Sequence, residues 1–559
     1  MRYTTTLIAL AIVCVASAGR AGLQAQDPPD LQGVAALAGE PRTVSAAGVT
    51  RSGARLVTLE SGSPFDGTPA RRLVIVADDE RAARATLAGI RWFKTRAPRS
   101  LRDQWTVSAL LLAHANDAVP AQRLQFPPDK GFFDHPEAPE SRYVWRWVTY
   151  QAPDVLLQVR GGDAMTRGDG PANSLAAAMS RSGSELGVVP AIFASARESD
   201  GPMLVEQVLK EHAAGRRSDL HVALAARVSR DPLAIARVLA ARYPQNPIVS
   251  YIPSVAWANT LRLADLTKDD SLRQKVVQQT RPWLSREQPL FGERISLTAV
   301  AGTMIYAELA ERGDAAAREL AVAGADAASR VAATGFAQHG QGWTDDMFMT
   351  AAILARSGRM PGRERDLDHL ASLLISYAGR LQREDGIFVH FTDGRVAWGR
   401  GNGFAALGLM EALTSLRSDH PSRAQVMEIY RRHMSGLKSV QAPDGMWRQV
   451  VDEPGSYREE SSTAMTLTAM ARGVRLGWLD ASYRPIVERA WRALAAHLTE
   501  DGGIVDISTG TGSGPTLRFY LDRAAISGFD DRGGAMALLA ATEMFIFRNQ
   551  AKAVPATSR

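Results

Sequence analysis

Three short pieces between Gly342 and Met465 decide how this chain is read: Gly342-Trp343-Thr344-Asp345-Asp346-Met347-Phe348-Met349, then Trp398-Gly399-Arg400-Gly401-Asn402-Gly403, then Asp444-Gly445-Met446-Trp447-Arg448-Gln449, leading into Glu459-Glu460-Ser461-Ser462-Thr463-Ala464-Met465. Each puts an aromatic beside a charged or amide residue in a Gly-rich loop, and a helix-like run follows at once. A sugar ring has apolar faces and a polar rim, so stacking rings flanked by hydrogen-bonding groups suit it.

Around these pieces the sequence is a succession of helical runs. They cover 257–266, 271–284, 297–310, 315–332, 346–356, 366–381, 403–416, 424–437, 463–475, 481–498 and 534–547. Several end at a glycine (Gly313, Gly358, Gly477), where a left-handed cap is easiest. The repeating unit is a helical hairpin of roughly 50 residues, in the range of helical repeats. Six such hairpins closed in a ring predict an (α/α)6 barrel over residues 246–550, with every second loop opening on one face.

The residues before the barrel read differently. Arg72–Ala77, Thr106–Leu112 and Asp154–Val159 are short β-rich runs, and 80–93 has helical spacing, so residues 50–245 are expected to form an α/β domain. Pro244, Pro247 and Pro253 break the pattern and mark the expected boundary. Residues 26–49 read as a linker and 551–559 as a tail. Residues 1–25 have the form of a signal peptide. Arg2 precedes the apolar run Leu7–Val15, and cleavage is expected after Ala18 or Ala25. The run is shorter than the ~20 residues a bilayer needs, so the expectation is a periplasmic or secreted protein with no membrane span. The one cysteine, Cys14, lies inside that leader, which excludes disulfides and thiol catalysis from the exported chain.

The 559 residues carry a net charge of +6, and arginine dominates the basic side. No basic run or basic helix accompanies that excess, so no nucleic-acid partner is expected. The guanidinium fork suits small carboxylates. There is no G-x-S-x-G elbow, no P-loop and no zinc-spaced His/Cys cluster.

The motifs Trp-x-Asp-Asp-x-Phe-Met, Trp-Gly-Arg-Gly-Asn-Gly and Asp-Gly-x-Trp-x-Gln with Glu-x-Ser-x-x-Ala-Met resemble the unsaturated rhamnogalacturonyl hydrolases of glycoside hydrolase family 105. That family is related to the unsaturated glucuronyl hydrolases of family 88. The resemblance covers about Ser254 to Arg548. It implies an (α/α)6 barrel acting on the 4,5-unsaturated galacturonyl residue that pectin lyases leave at a non-reducing end, with no metal or organic cofactor. The expected partner is thus an unsaturated acidic oligosaccharide. Hydrating a vinyl ether needs one acid and one base, and a single carboxyl group can serve as both. Asp345 matches that acid/base. Thr344-Asp345-Asp346 also reads as a helix N-cap with acids in its first turn.

Around it, the resemblance implies Arg400 on the substrate carboxylate as a bidentate pair, Trp398 stacked on the sugar, and Asn402 on its hydroxyls. His390 lines the site, and Trp343, Trp447, Gln449 and Glu460 are further substrate-binding candidates. Two departures stand out. The family Asp ahead of the Trp-x-Asp loop is missing near Ser296-Leu297-Thr298, where only Glu293 is close. An earlier loop histidine is present only as His339. Two other readings stay open: an (α/α)-barrel polysaccharide lyase with Tyr457 or His390 as base, and a glycan-binding protein without turnover. Residues 50–245 weakly resemble a degenerate zinc-carboxypeptidase-like domain. The His expected beside Asp79-Glu80 is absent, and Arg160 follows the Leu156-Leu157 strand. A plain structural or glycan-contacting module is the alternative.

Overall fold

The computed structural model describes residues 44–51, 53–111, 124–128, 139–510 and 512–553. The leader, most of the linker, Leu112, the Gly131–Phe133 segment and the end of the tail lie outside the described residues.

The N-terminal domain is a seven-stranded sheet in the order β1-β2-β4-β3-β5-β7-β6. Its strands are β1 (Val44–Val49), β2 (Arg55–Leu59), β3 (Arg71–Ala77), β4 (Trp105–Leu111), β5 (Val155–Gly161), β6 (Thr166–Gly168) and β7 (Ala191–Ala196). The central strands β4, β3, β5 and β7 run parallel, and β1, β2 and β6 are antiparallel. Parallel neighbours need crossovers, supplied by α1 (Glu80–Thr95), α2 (Arg99–Gln104), α3 (Pro139–Tyr150) and α4 (Leu175–Arg181). Side chains of β3 divide by strand period: Leu73, Ile75 and Ala77 enter one apolar cluster, Val74 and Val76 the other. The three expected strands are β3, β4 and β5. One boundary is corrected: Val44–Val49 is no linker, because it pairs with β2 as the edge of the sheet.

Helices α5 (Gly201–Glu211), α6 (Asp219–Val228) and α7 (Pro232–Arg242) lead into the barrel. Its inner ring is α8 (Tyr251–Thr267), α10 (Leu297–Gly302) with α11 (Met304–Glu311), α13 (Asp345–Ser357), α15 (Gly399–Ser415), α17 (Glu460–Arg475) and α20 (Asp531–Ala553). Each packs on the next, and α20 returns to α8, which closes the ring as expected. Between them in the chain stand the outer helices α9 (Asp270–Leu284), α12 (Ala315–Ala328), α14 (Arg365–Leu381), α16 (Arg423–Ser439) and α18 (Arg484–Ala496). The sixth outer helix is α7, which packs on α8 and α20, so the barrel begins at Pro232 rather than after the prolines at 244–253.

Sequence composition separates the two rings. All 13 residues of α13 are buried, the mark of a helix covered on every side. By contrast α14 buries Leu367, Leu370, Leu374, Tyr377 and Leu381 at helical spacing and exposes the opposite face. Gly313 and Gly477 have the expected positive φ (96° and 72°). Gly358 does not: at φ −64° it continues the right-handed turn. A Cβ there would run into Leu367, so close packing, not a left-handed cap, requires this glycine.

Three further elements shape the upper face. A hairpin of β8 (Ile504–Ser508) and β9 (Ala525–Gly528), with the short helix α19 (Leu517–Leu521) between its strands, lies next to α17. The sheet docks on the loop carrying the third motif. Arg458 donates to Ala46 O (2.8 Å), Arg448 to Ser45 Oγ (2.8 Å), and Arg55 pairs with Glu453 (2.9 Å). One apolar cluster runs continuously from Tyr143, Trp147 and Leu220 of the α/β domain to Met446, Tyr457 and Ala493 of the barrel.

Candidate active site

The inner helices α13, α15 and α17 begin with the three motifs, which brings their first turns together at one end of the barrel. Trp-Gly-Arg-Gly-Asn-Gly is not a loop, as expected from its glycines. Trp398 is the N-cap, and the helix starts at Gly399. The glycines permit close approach: a Cβ on Gly399 would strike Arg448 O, and one on Gly401 would strike Thr344 Oγ1.

The two adjacent acids of the first motif divide the work. Asp346 Oδ2 accepts from the backbone N–H groups of Gln341 (3.0 Å), Gly342 (2.7 Å) and Trp343 (3.2 Å) and from Tyr377 Oη (2.8 Å). It holds the loop shut. Burial pushes its carboxyl up to about 7, opposed by the Tyr377 hydroxyl and assisted by the charge of Asp345. Asp345, the first residue of α13, caps nothing with its side chain. It meets His390 Nε2 at 3.2 Å and stays 6 % exposed, whereas His390 behind it has no exposure. His390 Nδ1 lies 2.7 Å from Tyr520 Oη. Burial raises Tyr520, so it stays a hydroxyl. With the Tyr520 hydroxyl donating at Nδ1, the His390 N–H on Nε2 faces Asp345.

Rings frame this line. Trp343, half-buried, and Trp398 stand 5.3 Å and 4.6 Å from the His390 ring, and Arg523 lies 5.5 Å from Trp398. Tyr520 and Arg523 were not among the expected residues. They come from the β8–β9 hairpin, whose Gly510-to-Arg523 stretch repeats the glycine, aromatic and cation pattern of the three motifs.

The structure brings Trp343, Asp345 and His390 together and corrects several other expectations. Asn402 has no exposure. Its Oδ1 accepts from Phe388 N (2.9 Å), and its Nδ2 donates to Phe388 O and Trp398 O (both 2.9 Å). It fastens the His390 loop to α15 and has no donor left for sugar hydroxyls. Trp447 is also fully buried, donating to Leu437 O (2.8 Å) within the barrel core. Trp398 offers no open face for stacking: it is 0 % exposed, packed with Val450 and Tyr520. Arg400 cannot form the expected bidentate pair. Its Nε donates to Ser461 Oγ (2.8 Å), and its Nη2 reaches Ser508 O and Glu459, leaving Nη1 without a partner among the described residues.

Gln449 and Glu460 are fully buried, and none of their side-chain polar atoms has a partner among the described residues. Burial, with Glu459 alongside, pushes the Glu460 carboxyl well above the usual range. At the missing family Asp, Ser296 caps α10 through Ala299 N (3.3 Å), and Glu293 is exposed. His339 is half-buried, and burial lowers its pKa.

In the N-terminal domain, Asp78 accepts from Gln158 Nε2 at 2.9 and 3.0 Å and lies 3.6 Å from Arg160, while Asp79 caps α1 through Ala82 N. Among the described residues no group of three or more His, Cys, Asp or Glu is placed to hold a metal. No helix among them is long and apolar enough to cross a membrane.

An alternating double ring of helices with an acid, an imidazole and aromatic rings at one mouth defines an (α/α)6 barrel with a candidate active site, and sequence comparison agrees on the barrel. The chain belongs to glycosyl hydrolase family 88, whose profile matches residues 235–547. It is 29 % identical over 220 residues to an unsaturated 3S-rhamnoglycuronyl hydrolase of Alteromonas sp. (strain LOR), covering 37 % of this chain and 51 % of that protein. It is also 29 % identical over 185 residues to the unsaturated rhamnogalacturonyl hydrolase YesR of Bacillus subtilis (strain 168), covering 31 % and 50 %. The chain thus spans about half the length of the relatives it matches. In fold it is similar to a possible family 105 member from Salmonella enterica serovar Paratyphi A (TM-score 0.51, 19 % identity, 57 % of this chain and 94 % of that one). A family 105 glycoside hydrolase from C. acetobutylicum gives the same TM-score at 20 % identity, over 57 % and 98 %. These likenesses confirm the barrel. The family profile begins at residue 235, beyond the seven-stranded sheet, and the carboxypeptidase-like reading of that sheet gains no support.

Proposed function

We propose that the protein is a glycosidase that removes a 4,5-unsaturated uronyl residue, galacturonyl in pectin-derived oligosaccharides, by hydrating its C4=C5 vinyl ether. The observation that carries this reading is the division between the two acids. Asp346 is consumed by four hydrogen bonds, whereas among the described residues the Asp345 carboxyl at the mouth is hydrogen-bonded only to His390.

Asp345 protonates C4, which leaves positive charge shared between C5 and the ring oxygen. The carboxylate then takes a proton from water as its oxygen bonds to C5. The hemiketal opens to a C5 ketone, and the hemiacetal at C1 expels the neighbouring sugar. Proton gained and proton given balance at one carboxyl group. The His390 Nε2–H, fixed by Tyr520, orients that carboxyl through both steps. Trp343, the half-buried ring, is the stacking surface.

A lyase built on Tyr457 is disfavoured, because burial pushes its hydroxyl well above the ordinary value when a base must lose the proton. Export through the Leu7–Val15 leader is part of the same proposal, tested by N-terminal sequencing of protein recovered from the periplasm or medium. For the α/β domain we propose a bracing role, supported by its contacts with the loop that carries Trp447 and Gln449.

The activity is tested by following absorbance of the conjugated double bond with unsaturated pectin disaccharides and with intact polymer. Absorbance falling on the disaccharide supports the reading. A rise on polymer indicates a lyase, and oligouronide binding without change at either substrate indicates a binding protein.

A further inference from the structure

The charges at the mouth of the barrel are not evenly matched. Arg400 is 2 % exposed, and Glu459, 3.4 Å away, compensates it. Glu459 is itself held by Ser508 N (2.9 Å) and Ser462 N (2.6 Å), so the Arg400 charge is already matched inside the protein. Arg532 is paired with Asp530 at 2.8 Å. Arg523 differs. Among the described residues no carboxylate lies within ion-pair distance of it, yet it is close enough to Asp345 to feel that charge.

Its setting is a shelf. The guanidinium lies 4.8 Å from the Phe519 ring, 5.5 Å from Trp398 and 5.7 Å from Tyr520. Its Nη1 and Nη2 donate to Gly510 O and Gly512 O. Two of five N–H groups are thus used in fixing the plane, and the buried Nε has no partner among the described residues. Unlike Arg400, Arg523 is only partly buried, and Phe519 beside it is 39 % exposed. A preoriented cation beside the exposed Phe519 ring, without a counter-charge among the described residues, is suited to a carboxylate that arrives with the ligand.

We propose that Arg523, and not Arg400, receives the carboxylate of the unsaturated uronyl ring and so sets the enzyme's preference for acidic over neutral or esterified sugars. This rests on the hydrolase reading above. The carboxylate is attached to C5, so anchoring it on the β8–β9 hairpin fixes which face of the ring turns C4 toward Asp345. The contact is present before and during the reaction, so its loss raises KM more than it lowers kcat.

The test compares the unsaturated disaccharide with its methyl ester on wild type, Arg523→Gln and Arg523→Lys. The glutamine variant is expected to raise KM for the acid about 10- to 100-fold and leave the ester within about 3-fold, the range of one charge-assisted contact. Lysine is expected to restore part of the discrimination. Equal losses on acid and ester, or unchanged discrimination, would overturn the proposal. Calorimetric binding of both ligands to Asp345→Asn, with and without Arg523→Gln, separates the two readings. Acid-selective binding that needs Arg523 upholds the inference even if wild type shows no turnover. Turnover without Arg523-dependent selectivity rejects the inference and leaves the hydrolase reading standing. Absence of both binding and turnover rejects both.

Discussion

Asn402→Ala separates a sugar contact from a structural clamp. The native amide joins Phe388 N, Phe388 O and Trp398 O through three bonds of 2.9 Å at a site with no solvent exposure. Alanine removes all three. Trp398 O keeps its helical bond from Asn402 N (3.0 Å), but the amide and carbonyl of Phe388 lose their side-chain partner inside the protein. Each buried group left without a partner costs about 1–3 kcal/mol, so the two on Phe388 give an expected destabilisation of about 2–6 kcal/mol, centred on ~4. With an unfolding entropy of roughly 2.1 cal/mol/K per residue over the barrel, that lowers the melting temperature by about 6 °C. Scanning calorimetry measures it, with barrel and sheet treated as separate transitions if two peaks appear. Because the clamp carries the loop ending in His390, kcat should fall while KM changes little. A variant that melts within about 1 °C of wild type but shows a much higher KM would refute the clamp and restore the sugar contact.

Other expectations follow from neighbouring residues. Burial raises the Glu460 carboxyl above its ordinary value, so the folded state binds its proton more tightly than the unfolded chain does. That stabilisation is complete below the ordinary carboxyl range and is lost as pH rises toward the folded value. Glu460→Gln should therefore gain stability relative to wild type between pH 5 and 8 in urea titrations, and parallel curves would contradict it. His390→Phe removes the group that orients Asp345, and kcat is expected to drop about 100-fold. Tyr520→Phe, which removes only the support behind His390, should cost about tenfold or less; a larger loss than that of His390→Phe would reverse the order of the chain. Gly401→Ala drives a methyl group into Thr344 beside Asp345, costing about 1–3 kcal/mol. Its kcat should fall with it, and unchanged kinetics would show that the two helix starts are not tightly coupled.

The hairpin repeat was legible because helix-like runs recur between glycine-rich loops, and because the motifs recur at helix starts. What local pattern conceals is which polar side chain serves the fold. Asp345 and Asp346 are neighbours of one type, and only the convergence of three amides and Tyr377 on Asp346 distinguishes them. Asn402 reads as a sugar-binding amide until Phe388, 14 residues earlier, is found against it. Tyr520 is 130 residues from His390, a pairing no helical period encodes. The α/β strands were visible in their β-branched runs, but β1 was hidden by its small residues, and its pairing with β2 depends on the sheet as a whole.

The central claim is that one carboxyl group, Asp345, gives and takes the proton. Its most direct test is the absorbance of an unsaturated pectin disaccharide incubated with wild type and with Asp345→Asn, both shown to be folded by their melting temperatures. The account predicts that wild type consumes the double bond and that the asparagine variant, still binding the sugar, leaves it intact. Consumption by the variant at the wild-type rate would contradict it.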